Sequence, residues 1–419
     1  MGSRNRIKSN DNSKCLPREI IDEILTRVPA ESLVRFKLVC KFWKTIISDP
    51  KFIKCHLLIW ESKPAVLVSE DLASHRLLLS DIEQRDSTDF PICIPDDYTH
   101  IVASTDGLLL FRDYVLPIYK NVGGVLHAQK EQKLCVHNPV TGIQKKLPHN
   151  PNLGFDGGIF LIVHDASIQK YKVMVFKDRA RLLPNEINLI TIDHQSSGWR
   201  KLISPSTFCL EGVFKPIAVN GILYWLAYNC DVVPRRLRGM DIAYNIESVY
   251  SPRVAFVQSM DIGTEEFRQK ICLPCQPKRG SEHQLINCNL LVVKGSIYFS
   301  NPATEMELVL WMLEDLGNHI WVKKHKICLL SIVGKPNSLS SFLMDDSFHP
   351  IQMVGNQGLM IIRHDWDDGY MGSRFGRSWY LYNLRSQELK AIVGTPIAKS
   401  HSVYSGLVIT HVKSLVGWN

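Results

Sequence analysis

The sequence predicts an α + all-β chain, a small helical module followed by a large all-β domain, and three observations carry that division. Between Leu16 and Phe52, apolar residues recur at spacings of three and four, the period of a helix with one buried face. After Phe52 the apolar runs become short, rich in Val, Ile, Leu, Tyr and Phe and punctuated by Gly, Pro, Asn and Asp, as strands and hairpins are. These runs also return as a repeat of about 50–75 residues, long enough for one unit of a repeating sheet architecture.

The helical stretch reads LPREIIDEILTRVPAESLVRFKLVCKFWKTIISDPKF. Ile20, Ile21, Ile24, Leu25 and Val28 make one apolar face. Leu33, Phe36, Cys40, Trp43 and Ile47 make a second stripe at helical spacing. Pro17 suits a first turn, where its missing N–H would be unpaired anyway. Pro29 breaks the pattern between the stripes, and Ser48-Asp49-Pro50 stops the second. So few residues of short helix cannot bury these groups against themselves, so the rest of the chain or a partner must cover them. A docking module and a plain helical cap on the larger domain both meet that requirement. A helix-turn-helix DNA reader does not, because the turn chemistry is wrong and the second stripe is too apolar to face a groove.

The residues Leu16-Pro17, Glu19-Ile20, Ile24-Leu25, Arg27, Pro29, Leu33 to Phe36, Val39-Cys40-Lys41, Trp43 and Ile47 to Phe52 resemble an F-box over its whole length. That resemblance implies a three-helix module over residues 15–55; the polar, terminal residues 1–14 are expected to be disordered. It also implies docking on a Skp-type adaptor, and through it on a cullin and a RING subunit. Leu16, Pro17, Ile20, Ile24, Leu25, Leu33 and Val34 would then face the adaptor. Cys40 and Trp43 would serve the adaptor or the module's own core.

The chain has 419 residues, enough for one large ring of β-blades plus a small module. Hydrophobic content of 45% and charged content of 21% suit a soluble chain with a sizeable core. The net charge of +8 is spread without long runs, which argues against nucleic acid as a partner. No window has the apolar length of a membrane span. The opening MGSRNRIKSN is polar, without the apolar run of a secretory leader. Eleven irregularly spaced Cys are then expected to be reduced, in cytoplasm or nucleus.

The β-repeat is marked by Gly107 to Phe111, Gly221 to Trp225, Gly295 to Phe299 and Gly358 to Ile362, with Tyr171 to Phe176 filling one place without the Gly. Each is followed by a second strand ending in a polar turn: 134–141, 187–193, 257–264, 308–315 and 379–386. A third strand follows: 144–148, 199–202, 267–274, 321–327 and 389–392. Strands at 65–69 and 76–82 precede the first unit, and 403–416 follows the last. Ring closure would join these ends in one shared blade and remove the open edges. A β-propeller of about six blades over residues 60–419 is expected, with an irregular sandwich as the plainer alternative. Ser104 to Leu109, Asn138 to Thr141, Leu147-Pro148, Tyr171-Lys172-Val173, Ser197 to Arg200, Asn220 to Trp225, Asp261 to Glu265, Leu273-Pro274 and Ser414-Leu415-Val416 resemble, in order, the F-box-associated domain of plant F-box proteins, which is similar to kelch-type propellers.

No catalytic constellation stands out. Cys272, Cys275, His283 and Cys288 are soft ligands close in sequence, but they lack a second matching pair. Asp365, Asp367, Asp368 and Gly369 resemble a calcium loop with Gly at a ligand place, and a hairpin tip accounts for them better. Glu265-Glu266 and Asp345-Asp346 are neighbours on strands, where side chains point to opposite faces. No phosphate loop, nucleophile elbow or zinc helix occurs. No cofactor and no metal are assigned.

What the resemblance implies is a non-catalytic substrate receptor of a Skp–cullin–F-box ubiquitin ligase, its propeller holding an unidentified target protein. A glycan-binding propeller or propeller enzyme with an incidental helical cap, and an F-box scaffold without ubiquitin transfer, are the alternatives. Long connections expected at the target face are Tyr114–Lys133, Asn229–Ser251 and Pro277–Gln284. Arg235, Arg236 and Tyr244, with Trp366, Tyr370 and Arg374 in the cluster from Arg363 to Arg377, are the Arg and aromatic types that dominate interfaces. A solvated insertion is the plainer account of each.

Overall fold

Pro17 and Pro29 stand immediately before α1 (Arg18–Thr26) and α2 (Ala30–Phe36) in the computed structural model of the chain. The structure describes residues 16–62, 65–69, 77–80, 100–114, 118–122, 125–129, 132–150, 158–177, 186–193, 198–206, 215–229, 254–275, 288–304, 307–328, 347–354, 358–367, 375–391 and 407–417. A turn at 37–40 separates α2 from α3 (Lys41–Ile47), whose first turn is capped by Cys40: its Sγ accepts from the Trp43 N–H at 3.4 Å. The stripe read continuously from Leu33 to Ile47 is therefore shared by two short helices. A fourth helix, α4 (Pro50–Trp60), stands where three helices were expected. Ser48-Asp49-Pro50 ends α3 as expected and also starts α4: the Asp49 carboxylate accepts from the Lys51 N–H at 2.9 Å, and Pro50 occupies the first turn.

Leu25, Ala30, Leu33, Ile46, Ile47 and Phe52 form the module's core, with Trp43 against Phe36 at 5.3 Å between ring centres. Each large aliphatic side chain buried here contributes about 1.5–3 kcal/mol. The end of α1 is tied to α4. His56 Nε2–H donates to the Val28 carbonyl at 2.9 Å, and Trp60 Nε1–H to that of Thr26 at 3.2 Å, which satisfies carbonyls that a helix C-terminus leaves open.

The β domain opens with β1 (Ala65–Ser69) and β2 (Leu77–Ser80). The first blade holds β3 (His100–Thr105) and β4 (Leu108–Tyr114), then a side hairpin of β5 (Ile118–Val122) and β6 (Val125–Gln129), then β7 (Gln132–His137) and β8 (Gln144–Lys146). The second holds β9 (Gly158–Asp165), β10 (Lys170–Lys177), β11 (Glu186–Ile192) and β12 (Arg200–Ile203). The third holds β13 (Ile217–Val219), β14 (Ile222–Asn229), β15 (Val254–Asp261) and β16 (Ile271–Cys272). The fourth holds β17 (Asn289–Val293), β18 (Ser296–Thr304), β19 (Glu307–Asp315) and β20 (Ile320–Cys328). The fifth holds β21 (Ser347–Val354), β22 (Leu359–Asp367), β23 (Phe375–Asn383) and β24 (Leu389–Ala391).

Five four-stranded blades are thus described, where about six were expected. The remaining sheet has three strands, in the order β2, β1, β25 (Leu407–His411). In it β1 runs antiparallel to β25, from Ala65 opposite His411 to Ser69 opposite Leu407. β25 also lies against β3 of the first blade and β21 of the fifth, so this sheet, shared by both ends of the domain, closes the ring.

The runs that open on Gly are the second strands of their blades, and the repeat read from sequence omitted the innermost strands. Gly107, Gly221 and Gly295 close two-residue hairpins to those inner strands. Asp106-Gly107, for example, has φ of 51° and 86°, both left-handed, as a type I′ turn requires. The turns between third and fourth strands are held by side chains: Asn138, Asp261, Asp315 and Asn383 each accept backbone N–H groups two and three residues on. Outer-strand tryptophans clip blades together, Trp199 Nε1–H donating to Pro148 O at 2.7 Å and Trp321 Nε1–H to Cys272 O at 2.8 Å. The second and third blades are also joined by buried charge, since Lys172 Nζ lies 2.8 Å from both Asp165 and Glu265. Glu265 and Glu266 lie in the connection between β15 and β16 rather than on a strand, so the expected opposite-face argument does not apply to them; Glu265 is held instead by Lys172, and Asp345-Asp346 lies outside the described residues.

Strands alternate in direction within each blade, so the tight turns after first and third strands lie at one end of the ring. The connections after second and fourth strands, which include the longer insertions, lie at the other end. The helical module sits at the tight-turn end. Leu57 of α4 joins Ala103, Leu108, Leu134 and Val136 in the core of the first blade. The segment after β25 fills the seam: Leu415 enters the helical core, and Val416 enters the blade core. Asn138 Nδ2–H groups donate to the Ser414 and Val416 carbonyls at 3.1 and 2.8 Å, and Ser414 Oγ–H donates to the Asp106 carbonyl.

A methyl group on Gly107 would lie 2.1 Å from Ser414 Oγ, at a φ of +86°. Gly107→Ala is expected to dislodge this tail and cost about 2–4 kcal/mol. Urea unfolding measures the loss, and faster tryptic cleavage after Lys413 reports the tail's release.

Candidate functional site

The helical module has two apolar faces, and only one is covered. Leu57 and Ile53 turn one face to the first blade. On the other side Leu16 is 56% exposed, and Ile20 and Ile24, one turn apart on α1, are exposed with it. Leu38, at 87%, Val39 and Phe42 are exposed around the turn into α3. Apolar side chains grouped in this way on a surface mark a partner's place.

The residues expected to face an adaptor divide accordingly. Leu16, Pro17, Ile20, Ile24 and Cys40 are exposed. Val34 and Trp43 are half-buried against the core. Leu25 and Leu33, at 2% and 0%, are sealed inside it and correct the expectation, because their stripe faces α3 and α4 rather than solvent. Leu38 and Phe42 were not singled out, since a single stripe through residues 33–47 leaves them off the contact side. The break at 37–40 turns them outward. The off-stripe pair Leu38-Val39 was the only sequence signal for that break.

The seam behind this module carries two carboxyls. Glu61, at the C-terminal end of α4, has its pKa raised by burial and then by the charge of Asp106. Asp106, in the first hairpin of the first blade, has its own raised by burial, against the opposing effects of a hydrogen bond from Tyr171 OH (2.9 Å) and nearby His164. Both carboxyls hold protons more tightly in the folded chain than in the unfolded one.

At the opposite end of the ring, Asn229 and Val254 bound one long connection, and Asp367 and Phe375 another. Arg235, Arg236, Tyr244, Tyr370 and Arg374 lie outside the described residues, as does Pro277–Gln284. Trp366 is a strand residue of β22, in register with Gly376. The stretch Tyr114–Lys133, expected as an open loop, carries the β5–β6 hairpin. Asp365 and Asp367 are also in β22, in keeping with the hairpin account of that acidic run.

Cys275 and Cys288 share one partner, Asn301. Asn301 Nδ2–H donates to Cys275 Sγ at 3.0 Å, and the Cys288 thiol donates to Asn301 Oδ1 at 3.4 Å. Burial pushes both thiols up, which disfavours the thiolate that a metal needs. Cys272 is exposed, and His283 lies outside the described residues. Among the described residues no three His, Cys, Asp or Glu side chains are grouped to hold a metal ion, and no helix is long and apolar enough to cross a membrane.

Comparison with known proteins yields two family matches. Residues 14–55 match the F-box domain, and residues 76–342 match the F-box associated beta propeller domain. Among curated relatives, F-box protein At3g17710 of Arabidopsis thaliana is 27% identical over 334 residues, covering 74% of each chain. Putative F-box/kelch-repeat protein At1g12170 of the same plant is 23% identical, covering 80% of this chain and 84% of that one. Among solved structures, Synechocystis apocarotenoid oxygenase aligns over 84% of this chain and 71% of its own, at 10% identity and a TM-score of 0.36.

A carboxyl whose folded pKa is raised stabilises fully below its unfolded value and loses that contribution as pH rises through the folded one. The seam is therefore expected to weaken as pH rises above the 4.5 of an ordinary glutamate. Glu61→Gln should flatten the melting-temperature profile above that pH and raise the melting temperature at neutrality; thermal unfolding across a pH series tests both.

Proposed function

The chain belongs to the F-box-associated β-propeller family, with an F-box ahead of the propeller, and from that premise we propose that it is the substrate receptor of a Skp–cullin–F-box ubiquitin ligase. The observation that carries this reading is the two-faced helical module. A helical cap needs only the face that Leu57 and Ile53 present to the first blade. The exposed row of Leu16, Ile20 and Ile24, with Leu38, Val39 and Phe42, is left uncovered by the described residues and suits an adaptor's apolar groove.

In this role the chain does no covalent chemistry. It raises the local concentration of a target lysine at a ubiquitin thioester held by the cullin–RING assembly, turning a bimolecular attack into a nearly intramolecular one. That effect depends on a fixed geometry between adaptor and target. A module sharing cores with the first blade through Leu57 and Leu415 provides such a geometry. The target is assigned to the end of the ring away from the module, where Arg235, Arg236, Tyr244, Trp366, Tyr370 and Arg374 belong to or border the long connections. The work of such a receptor is in cytoplasm or nucleus.

Leu16→Ala with Pro17→Ala is expected to abolish co-purification with a Skp-type adaptor while leaving the far-ultraviolet spectrum of the β domain unchanged. Undiminished co-purification of the folded double variant would refute the docking assignment. Arg235→Glu with Arg236→Glu should keep the adaptor and reduce the set of trapped proteins, compared by quantitative mass spectrometry.

A further inference from the structure

The hub of the ring contains a cavity of about 280 Å³ lined by β3, β9, β13, β17 and β21, the inner strands of all five four-stranded blades. Each of these strands hydrogen-bonds to only one neighbour in its sheet. Its other edge, with its N–H and C=O groups, is turned to the hub. Two of the lining strands are bulged where they meet the cavity, β3 between Ile101 and Ala103 and β21 between Pro350 and Gln352. Such irregularities re-aim side chains and gather beside functional sites.

Into this mostly apolar space projects one charged side chain, Lys215, at the entry to β13. Among the described residues its ammonium makes one hydrogen bond, a long one of 3.5 Å to Gln352 Oε1 on the fifth blade. It has no carboxylate partner there. Lys215 is half-buried, and three N–H donors and a positive charge partly withdrawn from water are costly unless a counter-charge meets them. Desolvation by the surrounding blades alone lowers the Lys215 pKa. Lys172, a fully buried lysine elsewhere in the ring, has two carboxylates within 2.8 Å. The contrast separates a lysine used for structure from one left for something else.

We propose that the hub is a binding site for a small organic or inorganic anion, whose carboxylate or phosphate group pairs with the Lys215 ammonium. Gln352 orients that ammonium through Oε1 and keeps its own amide N–H groups to donate to the anion. The unpaired N–H groups of the inner strands supply further donors, and the apolar lining accepts an uncharged body behind the charged group. The site is independent of adaptor docking, lies away from the helical module's exposed face, and stands whether or not the chain serves a ligase.

Isothermal titration of the full-length protein with inorganic phosphate, and separately with benzoate, tests the proposal. Saturable one-to-one binding of at least one is expected. A phosphate-only response assigns a phosphate ligand, and a benzoate-only response an apolar carboxylate. Lys215→Met should weaken that binding at least about tenfold, the scale of a lost charge-assisted contact. Lys390→Met, at an exposed lysine on β24, should leave it within about twofold. The Met variant should also melt higher than wild type in anion-free buffer, because a half-buried charge without a carboxylate partner among the described residues has been removed. Should it fail to fold, slower acetylation of wild-type Lys215 in the presence of the anion, read by peptide mass spectrometry, makes the same test. Equal binding by Lys215→Met, no saturable binding of either anion by wild type, or no protection of Lys215 would overturn the proposal.

Discussion

The tail after β25 is the constraint on which the rest of the molecule depends. Asn138, at the tip of the first blade, spends its amide on two tail carbonyls and its oxygen on the backbone of its own turn. Ser414 seats on the Asp106-Gly107 hairpin, so the tail runs against two turns of one blade at once. Leu415 and Val416 then point into different cores, one helical and one β. Lys413 adds an ion pair to Glu31 of α2 at 2.6 Å. Remove this strip and, among the described residues, the module rests on the blade through α4 and through Val140 of the β7–β8 turn. With it, helices, first blade and closing sheet share continuous packing, and small displacements of one are resisted by all.

That packing explains why one apolar face of the module is exposed and the other is not. Antiparallel alternation places the turns after first and third strands at one end and the longest insertions, such as those after β14 and β20, at the other. Only the hairpin end is flat and rigid enough to be sealed against helices. The longest connections leave the strands at the other end, so the thickness of the ring separates them from the helical module.

Much of this was legible in the residues. The change from a period of three to four to short runs located the boundary between helices and strands, and Gly107, Gly221, Gly295 and Gly358 marked the blades. The inner strands were missed because each precedes its Gly turn, and short runs such as Ile217–Val219 carry no alternation of their own. The fourth helix was missed because Asp49-Pro50 ends one helix and starts another in the same residues. Leu25 and Leu33 were assigned outward because periodicity gives a stripe without saying which side of it meets a partner. Asn138-Pro139-Val140-Thr141 and Ser414-Leu415-Val416 were both visible as motifs, yet nothing in a linear reading brings residues this far apart together. Lys215 stood out by no pattern at all: its isolation is a property of the ring.

The placement of Leu415 has a consequence for biogenesis. The helical module leaves the ribosome ahead of the ring, yet Leu415, part of its core, is translated after the last blade. Until then Leu33, Ile47 and their neighbours lack one of the side chains they pack with. An incomplete nascent chain therefore presents a loosened module. The module reaches its final packing only once the segment after β25 has seated, so the last part of the ring to form also completes the first helices.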